Sequence, residues 1–271
     1  MAIAESKMRM DGYRIHTYRG GKGYPILMLH GSGAGASSFG NWHAVMEPLS
    51  RRYRILAGDL IGFGKSDRKP RMPYFDINLW MREAQFLLDR LSKRGPVGVI
   101  GHSLSGYFAL RLASRNERID KVLVTGSLGA KYEINDALRA GWTFPETEED
   151  FRDVYARMVA DTSLMTDEFV ADRMRVLHSG DYGAYFTRMF SGDKQAILDK
   201  CVLKPAELKR IKCDVLMLHG AQDAPVPFED AALPLARLIP QADLVRLAHC
   251  GHGPAMDQPA KFTALATDFF G

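Results

Sequence analysis

No stretch of this chain approaches the ~18 consecutive apolar residues that a bilayer-spanning helix needs, so the sequence gives no membrane span. The first ten residues, Met1 to Met10, carry charges where a secretory leader would need an apolar run. Cysteine is scarce: Cys201, Cys213 and Cys250 are an odd number with no CxxC spacing, which argues against a disulfide framework and a zinc site. The expectation from both is a reduced, cytoplasmic protein. Charge of one sign is also lacking. Thirty-six Lys and Arg against 32 Asp and Glu leave +4 with no basic run, so no nucleic-acid partner is indicated. This small excess mildly favours acidic substrates. Internal repeats and low-complexity segments are absent as well, which excludes solenoids and disordered arrays.

What is present is an alternation of short apolar runs with amphipathic stretches, the pattern of a parallel sheet with crossover helices. Asp11-Gly12 between Lys7–Met10 and Tyr13–Arg19 reads as a hairpin turn. Buried-strand runs follow at Pro25–His30, Tyr53–Gly58, Val97–Gly101, Val122–Thr125, Val215–His219 and Leu244–Leu247. Helical periodicity is expected at Ile77–Lys93, Leu104–Arg115, Phe228–Ile239 and Ala260–Phe270. With 271 residues the chain can form one large domain or a core with an inserted lobe.

The rhythm breaks at 130–204. That stretch contains no convincing strand, but helical patterns at Glu148–Ala160, Thr166–Ser179 and Gly183–Phe190, with many aromatic residues and methionines. A connection of roughly 70 residues is too long for an ordinary crossover. It is read as a helical lid over the sheet's carboxyl edge, where open α/β sheets place their sites; extra packing helices are the plainer alternative. The expected division is a core of 1–129 and 205–271 with a lid of 130–204.

Three segments carry chemistry. Gly101-His102-Ser103-Leu104-Ser105-Gly106 lies between an apolar strand and a helix. This is the setting of a nucleophile elbow G-x-S-x-G, with Ser105 in the place of the second glycine. A helix cap is the alternative for Ser103. A serine hydroxyl needs a base, and the base an orienting acid, in the chain order Ser, acid, His. His252, between Gly251 and Gly253 after the last strand, is preferred over His249. Asp223, after Val215–His219 and before Pro225, is preferred over Asp230. An oxyanion formed at Ser103 needs backbone donors, expected from Leu104 and from Ser32 in the glycine-rich loop His30–Gly35. That loop lacks the lysine of a phosphate loop.

In this order the motifs resemble the α/β-hydrolase superfamily over nearly the whole chain, and within it the meta-cleavage product hydrolases. HGSGAGASSFGNW (His30 to Trp42) is similar to the family's glycine-rich loop, with Gly31 and Gly33 against the substrate and Asn41 on its active-site asparagine. DLIGFGKSD (Asp59 to Asp67) resembles the next loop. TDEFVADR (Thr166 to Arg173) looks like the lid segment whose arginine contacts the substrate's oxygen-rich end, here Arg173. A helix cap and a solvated helix residue are the respective alternatives for Asn41 and Arg173. The chain departs from the family at Gly253, where a tryptophan is usual, and at His102 and Ser105 in the elbow.

The resemblance implies an α/β-hydrolase fold and hydrolysis of a carbon–carbon bond in a 2-hydroxy-6-oxo-dienoate. The partner implied is a small-molecule substrate alone, with no metal or organic cofactor. A carboxylesterase, lactonase or amidase would use the same triad, since fold and triad do not choose the bond. A ligand-binding module without turnover is a further alternative. The sequence leaves a homo-oligomer open.

Overall fold

The computed structural model describes residues 2–163 and 165–271. Its framework is one eight-stranded sheet: β1 (Ala4–Met10), β2 (Tyr13–Gly20), β3 (Pro25–Leu29), β4 (Arg54–Gly58), β5 (Val97–His102), β6 (Ile119–Thr125), β7 (Asp214–Gly220) and β8 (Ala242–Leu247). Their order is β1-β2-β4-β3-β5-β6-β7-β8. The six strands from β3 to β8 are parallel, and β2 pairs antiparallel with β1 and β4. Asp11 and Gly12 both have positive φ, 50° and 87°, as a two-residue turn matching strand twist requires.

The helices are α1 (Ser38–Ser50), α2 (Ile77–Leu91), α3 (Leu104–Ala113), α4 (Asp136–Gly141), α5 (Glu148–Ala156), α6 (Asp167–Leu177), α7 (Tyr182–Met189), α8 (Lys194–Asp199), α9 (Pro205–Leu208), α10 (Leu233–Leu238), α11 (Pro254–Asp257) and α12 (Pro259–Phe270). A π-helical turn, Phe228–Ala232, runs into α10. The sheet separates two apolar clusters. One packs β2, β3 and β4 against α1 and α12 through Trp42, Met46, Leu49, Phe262 and Ala266. The other lies under α2 and α3 and continues into the insert through Trp142, Phe144, Phe186 and Phe190.

The strands fall where their apolar runs place them, because a strand covered on both faces is apolar at every position: β3 and β5 are buried throughout. Among the described residues of 130–204 there is no strand. Two helical expectations are corrected. α5 stops at Ala156 rather than Ala160, and Met158 to Ala160 leave it through a turn, with Met158 N and Val159 N both donating to Tyr155 O. Phe228–Ile239 is a π-turn followed by a short α-helix rather than one helix.

The strand order reverses at β3, whose neighbours are β4 and β5. Loops leaving β3 and β5 therefore diverge from adjacent strand ends, which is where sites form in open α/β sheets.

Candidate active site

Ser103 sits between β5 and α3 with φ 55° and ψ −119°. Positive φ is costly for a residue with a β-carbon, and the surroundings hold it there. The Ser103 N–H donates to Thr125 O at 2.9 Å, and the Ser103 carbonyl accepts from the Gly106 and Leu128 N–H groups at 3.0 Å each. The side chain makes no capping bond to α3, so the helix-cap alternative fails. The two small residues expected to let strand and helix meet are Gly101 and Ser105. Gly101 does so, since a β-carbon on it would lie 2.4 Å from Ser105 O. On the helix side the close approach belongs to Gly106, where a β-carbon would lie 2.2 Å from Ser127 Oγ. Ser105 instead donates its hydroxyl to His30 O, tying the elbow to the end of β3.

His252 and Asp223 meet across the ends of β7 and β8. His252 Nδ1 is 3.0 Å from both carboxylate oxygens, and Asp223 Oδ1 also accepts the Val226 N–H at 2.9 Å. Burial alone would raise the Asp223 carboxyl, but His252, His219 and the Val226 N–H together hold it below the usual carboxylate range. The competitors go elsewhere. His249 turns outward with φ 53° and is exposed, and Asp230 lies on the π-turn. Gly126, at the end of β6, closes the arrangement: a β-carbon there would lie 2.7 Å from His252 Nδ1 and 2.9 Å from Asp223 Oδ2. His102 brings the elbow to this pair, with its ring 4.7 Å from that of His252 and its Nδ1 3.0 Å from Thr125 Oγ1. Burial first, then His252, pushes His102 down to about 3, so it stays neutral beside His252.

The glycine loop lies against the elbow. A β-carbon on Gly31 would be 3.2 Å from Ser103 Cβ. The Gly31 N–H is taken by Asn41 Oδ1 at 2.9 Å, so Asn41 fixes the loop from the first turn of α1. Its amide nitrogen makes only a 3.8 Å contact with Met256 Sδ. His30 Nε2 accepts the Leu60 N–H at 2.9 Å, which leaves Nδ1 to donate to Gly31 O at 2.7 Å. Among the described residues the Ser32 N–H has no hydrogen-bond acceptor, and the Leu104 N–H heads α3 ahead of its ladder. Both donors expected for an oxyanion are thus uncommitted, whereas that of Gly31 is not. Gly33 faces the insert, where a β-carbon would meet only Gly141 O at 3.9 Å.

The insert is tied to this edge at several points. Trp142 Nε1 donates to Ser32 Oγ at 3.0 Å, the His252 N–H donates to Met158 O at 2.7 Å, and Asp257 Oδ2 accepts from both Gly251 N (2.6 Å) and Ala160 N (3.2 Å). Arg173 is placed less directly. Its Nη2 donates to Gly35 O at 3.2 Å, and it forms no ion pair among the described residues. With Gly35, Phe39 and Tyr182 it lines a cavity of about 330 Å3 that none of Ser103, Asp223 and His252 reaches. At Gly253 a β-carbon would lie 2.2 Å from Met256 Cε, so the Met256 methyl fills the space a side chain would need there.

His30, Gly126 and His219 are the site-forming residues that sequence reasoning did not single out. His30 and His219 each end an apolar strand run, an odd place for a titratable side chain, and that position was the available signal. Gly126 carries no such mark.

A largely parallel sheet with a serine at a positive-φ strand–helix turn and a His–Asp pair reached through the His102 ring is the architecture of a hydrolase class, and the chain belongs to the α/β hydrolase fold family, matched over residues 24–259. Within that family it is 30% identical to 2-hydroxymuconate semialdehyde hydrolase of Pseudomonas sp. strain CF600, over 95% of this chain and 90% of that protein. It is likewise 30% identical to 2-hydroxy-6-oxo-2,4-heptadienoate hydrolase of Pseudomonas putida, over 95% and 93% of the two chains. The solved structure of 2-hydroxy-6-oxo-6-phenylhexa-2,4-dienoate hydrolase from Rhodococcus sp. strain RHA1 superposes with a TM-score of 0.90 at 27% identity, covering 99% of each chain. Among the described residues no helix is long and apolar enough to cross a membrane.

Proposed function

We propose that the protein hydrolyses a carbon–carbon bond of a 2-hydroxy-6-oxo-dienoate, using Ser103 as nucleophile, His252 as general base and Asp223 as its orienting acid. The likeness to hydrolases named for such substrates, over nearly the full length of both chains, carries the choice of bond and does not favour an ester. The geometry supports the roles. Asp223 fixes the His252 tautomer by accepting at Nδ1, which leaves Nε2 to take the serine proton.

The dienol is first ketonised, so that C5 can depart as a stabilised carbanion. Ser103 Oγ then adds to the 6-carbonyl, its proton passes to His252, and the Leu104 and Ser32 N–H groups receive the developing oxyanion. Cleavage between C5 and C6 returns that proton to the departing dienol fragment and leaves an acyl-serine. Water, deprotonated by His252, releases the acid, so the sum is substrate plus one water to two products. The family resemblance gives Arg173 the substrate carboxylate, a role that requires the cavity it lines with Gly35 and Tyr182 to open towards Ser103. Among the described residues the Arg173 guanidinium has one backbone acceptor and no ion-pair partner, and burial lowers its affinity for the proton. The Asn41 amide nitrogen is the donor for the 2-oxygen, with Gly31 and Gly33 leaving room for the chain between. The helices of 130–204 act as a lid over this space. No metal or organic cofactor enters the scheme.

The test is loss of the visible absorbance of a ring-fission dienoate, run beside Ser103→Ala and a set of p-nitrophenyl esters. Rapid bleaching that falls by about 10³-fold or more in Ser103→Ala is expected. Fast ester turnover without bleaching would overturn the carbon–carbon assignment.

A further inference from the structure

Asp223 has a second imidazole beside it. His219, at the end of β7, is buried to 2% exposure, with Nε2 2.7 Å from Val226 O and 3.4 Å from Asp223 Oδ2. Both neighbours of Nε2 are acceptors, so Nε2 carries the proton; it donates to Val226 O, while Asp223 Oδ2 lies close by without a hydrogen bond of its own to the ring. The Val226 N–H in turn donates to Asp223 Oδ1. The 223–226 turn is therefore closed from both sides: Val226 gives its N–H to the carboxylate, and its carbonyl is held by His219. The His219 ring is wedged edge-on against Phe228, 5.6 Å between centroids, which fixes the direction of the N–H. Burial first of all disfavours the charged form of His219, so it acts as a neutral dipole and not as a second cation competing for Asp223.

We propose that His219 is a positioning residue for the reaction: its Nε2–H holds the Asp223–Val226 turn and orients the carboxylate that aligns His252. The inference rests on the reading of Ser103, Asp223 and His252 given above. An aspartate on a loop after a strand has free rotation about two bonds, and a base misplaced by a fraction of an ångström loses much of its rate. His219 removes that freedom on the side of Asp223 away from Ser103's base. Removing its N–H also takes away a dipole whose nitrogen lies 3.4 Å from Oδ2. The carboxylate then attracts an imidazolium at position 252 more strongly, and the acidic limb of kcat/KM moves to higher pH. The other ionisable groups around the assembly are His102 from β5, Tyr132 after β6, Glu229 and Asp230 on the π-turn, Arg246 opposite His219 on β8, Cys250 in the catalytic loop and Asp257 on α11. All of them are retained in the variants below.

The experiment compares His219→Met, which fills the space without a donor, with His219→Gln, whose amide nitrogen stands where Nε2 stood. kcat, KM and the pH profile are followed with whichever substrate the wild type turns over, a dienoate or an activated ester, and with Ser103→Ala as control. The expected result for His219→Met is a fall in kcat of about tenfold or more at little-changed KM, with the acidic limb raised by about half a pH unit. His219→Gln is expected to recover most of the rate and to return the limb. Should His219→Met fail to fold, His219→Asn replaces it, because its shorter amide cannot reach Val226 O. A donor-less variant with wild-type rate and limb, or Met and Gln variants equally impaired with the limb unmoved, would overturn the proposal. Turnover indifferent to Ser103→Ala would instead overturn the triad reading beneath it.

Discussion

At Gly126 the backbone of β6 passes so close to the His252–Asp223 pair that hydrogen is the only side chain the space admits, and φ is +49°. Gly126→Ala would therefore push the imidazole or the carboxylate out of line and also strain the turn. The expected outcome is a kcat lowered by roughly 10- to 100-fold and a stability loss of about 1–3 kcal/mol. Steady-state kinetics and urea denaturation check the two separately, and a variant of normal kcat would show that the pair tolerates displacement. The residues that carry the proposed chemistry were legible in the sequence because chain order and flanking glycines constrain Ser103, Asp223 and His252 jointly. The residues that hold them were not. His30, Gly126 and His219, and the bond that Ser105 makes, matter through contacts between segments distant in sequence, such as Ser105 with His30 O across 75 positions. Asn41 shows the limit from the other direction. Its place in the motif was readable, but its bond to the Gly31 N–H required the fold.

Elements were most legible where both faces are buried and least where function interrupts regularity. α1 was not anticipated, since Gly40, Asn41, His43 and Pro48 dilute its pattern, although Trp42, Val45, Met46 and Leu49 keep helical spacing. The premature end of α5 has a consequence for the site. The segment Met158 to Ala160 leaves the helix to lie over the His252 loop, accepting from the His252 N–H and donating to Asp257. Asp257 thus joins the insert and the His252 loop through one oxygen, with burial raising its carboxyl above the usual range. Asp257→Ala leaves the Gly251 and Ala160 N–H groups without this acceptor, at a cost of about 1–3 kcal/mol. The expected outcome is faster amide exchange across residues 158–160 and 251–252 with a reduced kcat. Unchanged exchange in that segment would mean that the Met158–His252 bond suffices to hold it.

At the scale of the molecule, the elbow and the glycine loop are fixed by a cluster that runs from the sheet into the insert, and one buried carboxyl sits inside it. Glu83 lies on the inner face of α2 among Leu79, Trp80, Ala84, Leu87 and Leu88. Its Oε2 accepts the Ile61 N–H at 3.0 Å, and Trp80 Nε1 donates to Ile61 O at 2.8 Å, so α2 and the loop after β4 are bound as a unit. Oε1 has no hydrogen-bond partner among the described residues. Burial, with Asp59 nearby, holds this carboxyl protonated well above the usual carboxylate range. In the unfolded chain it ionises near its ordinary value of about 4.3. Above that pH the unfolded state has lost a proton that the folded state retains. The Glu83 contribution is therefore fully present below about pH 4 and declines as pH rises towards the folded value, by at most about 1.4 kcal/mol per pH unit. Glu83→Gln keeps an oxygen for the Ile61 N–H and cannot ionise. Thermal unfolding of both proteins between pH 5 and pH 8 should show the variant gaining on the wild type by roughly 2 °C per pH unit. A difference in Tm that stays constant across that range would mean that Glu83 is already ionised in the folded protein, and that a cation or water held at Oε1 supports the charge.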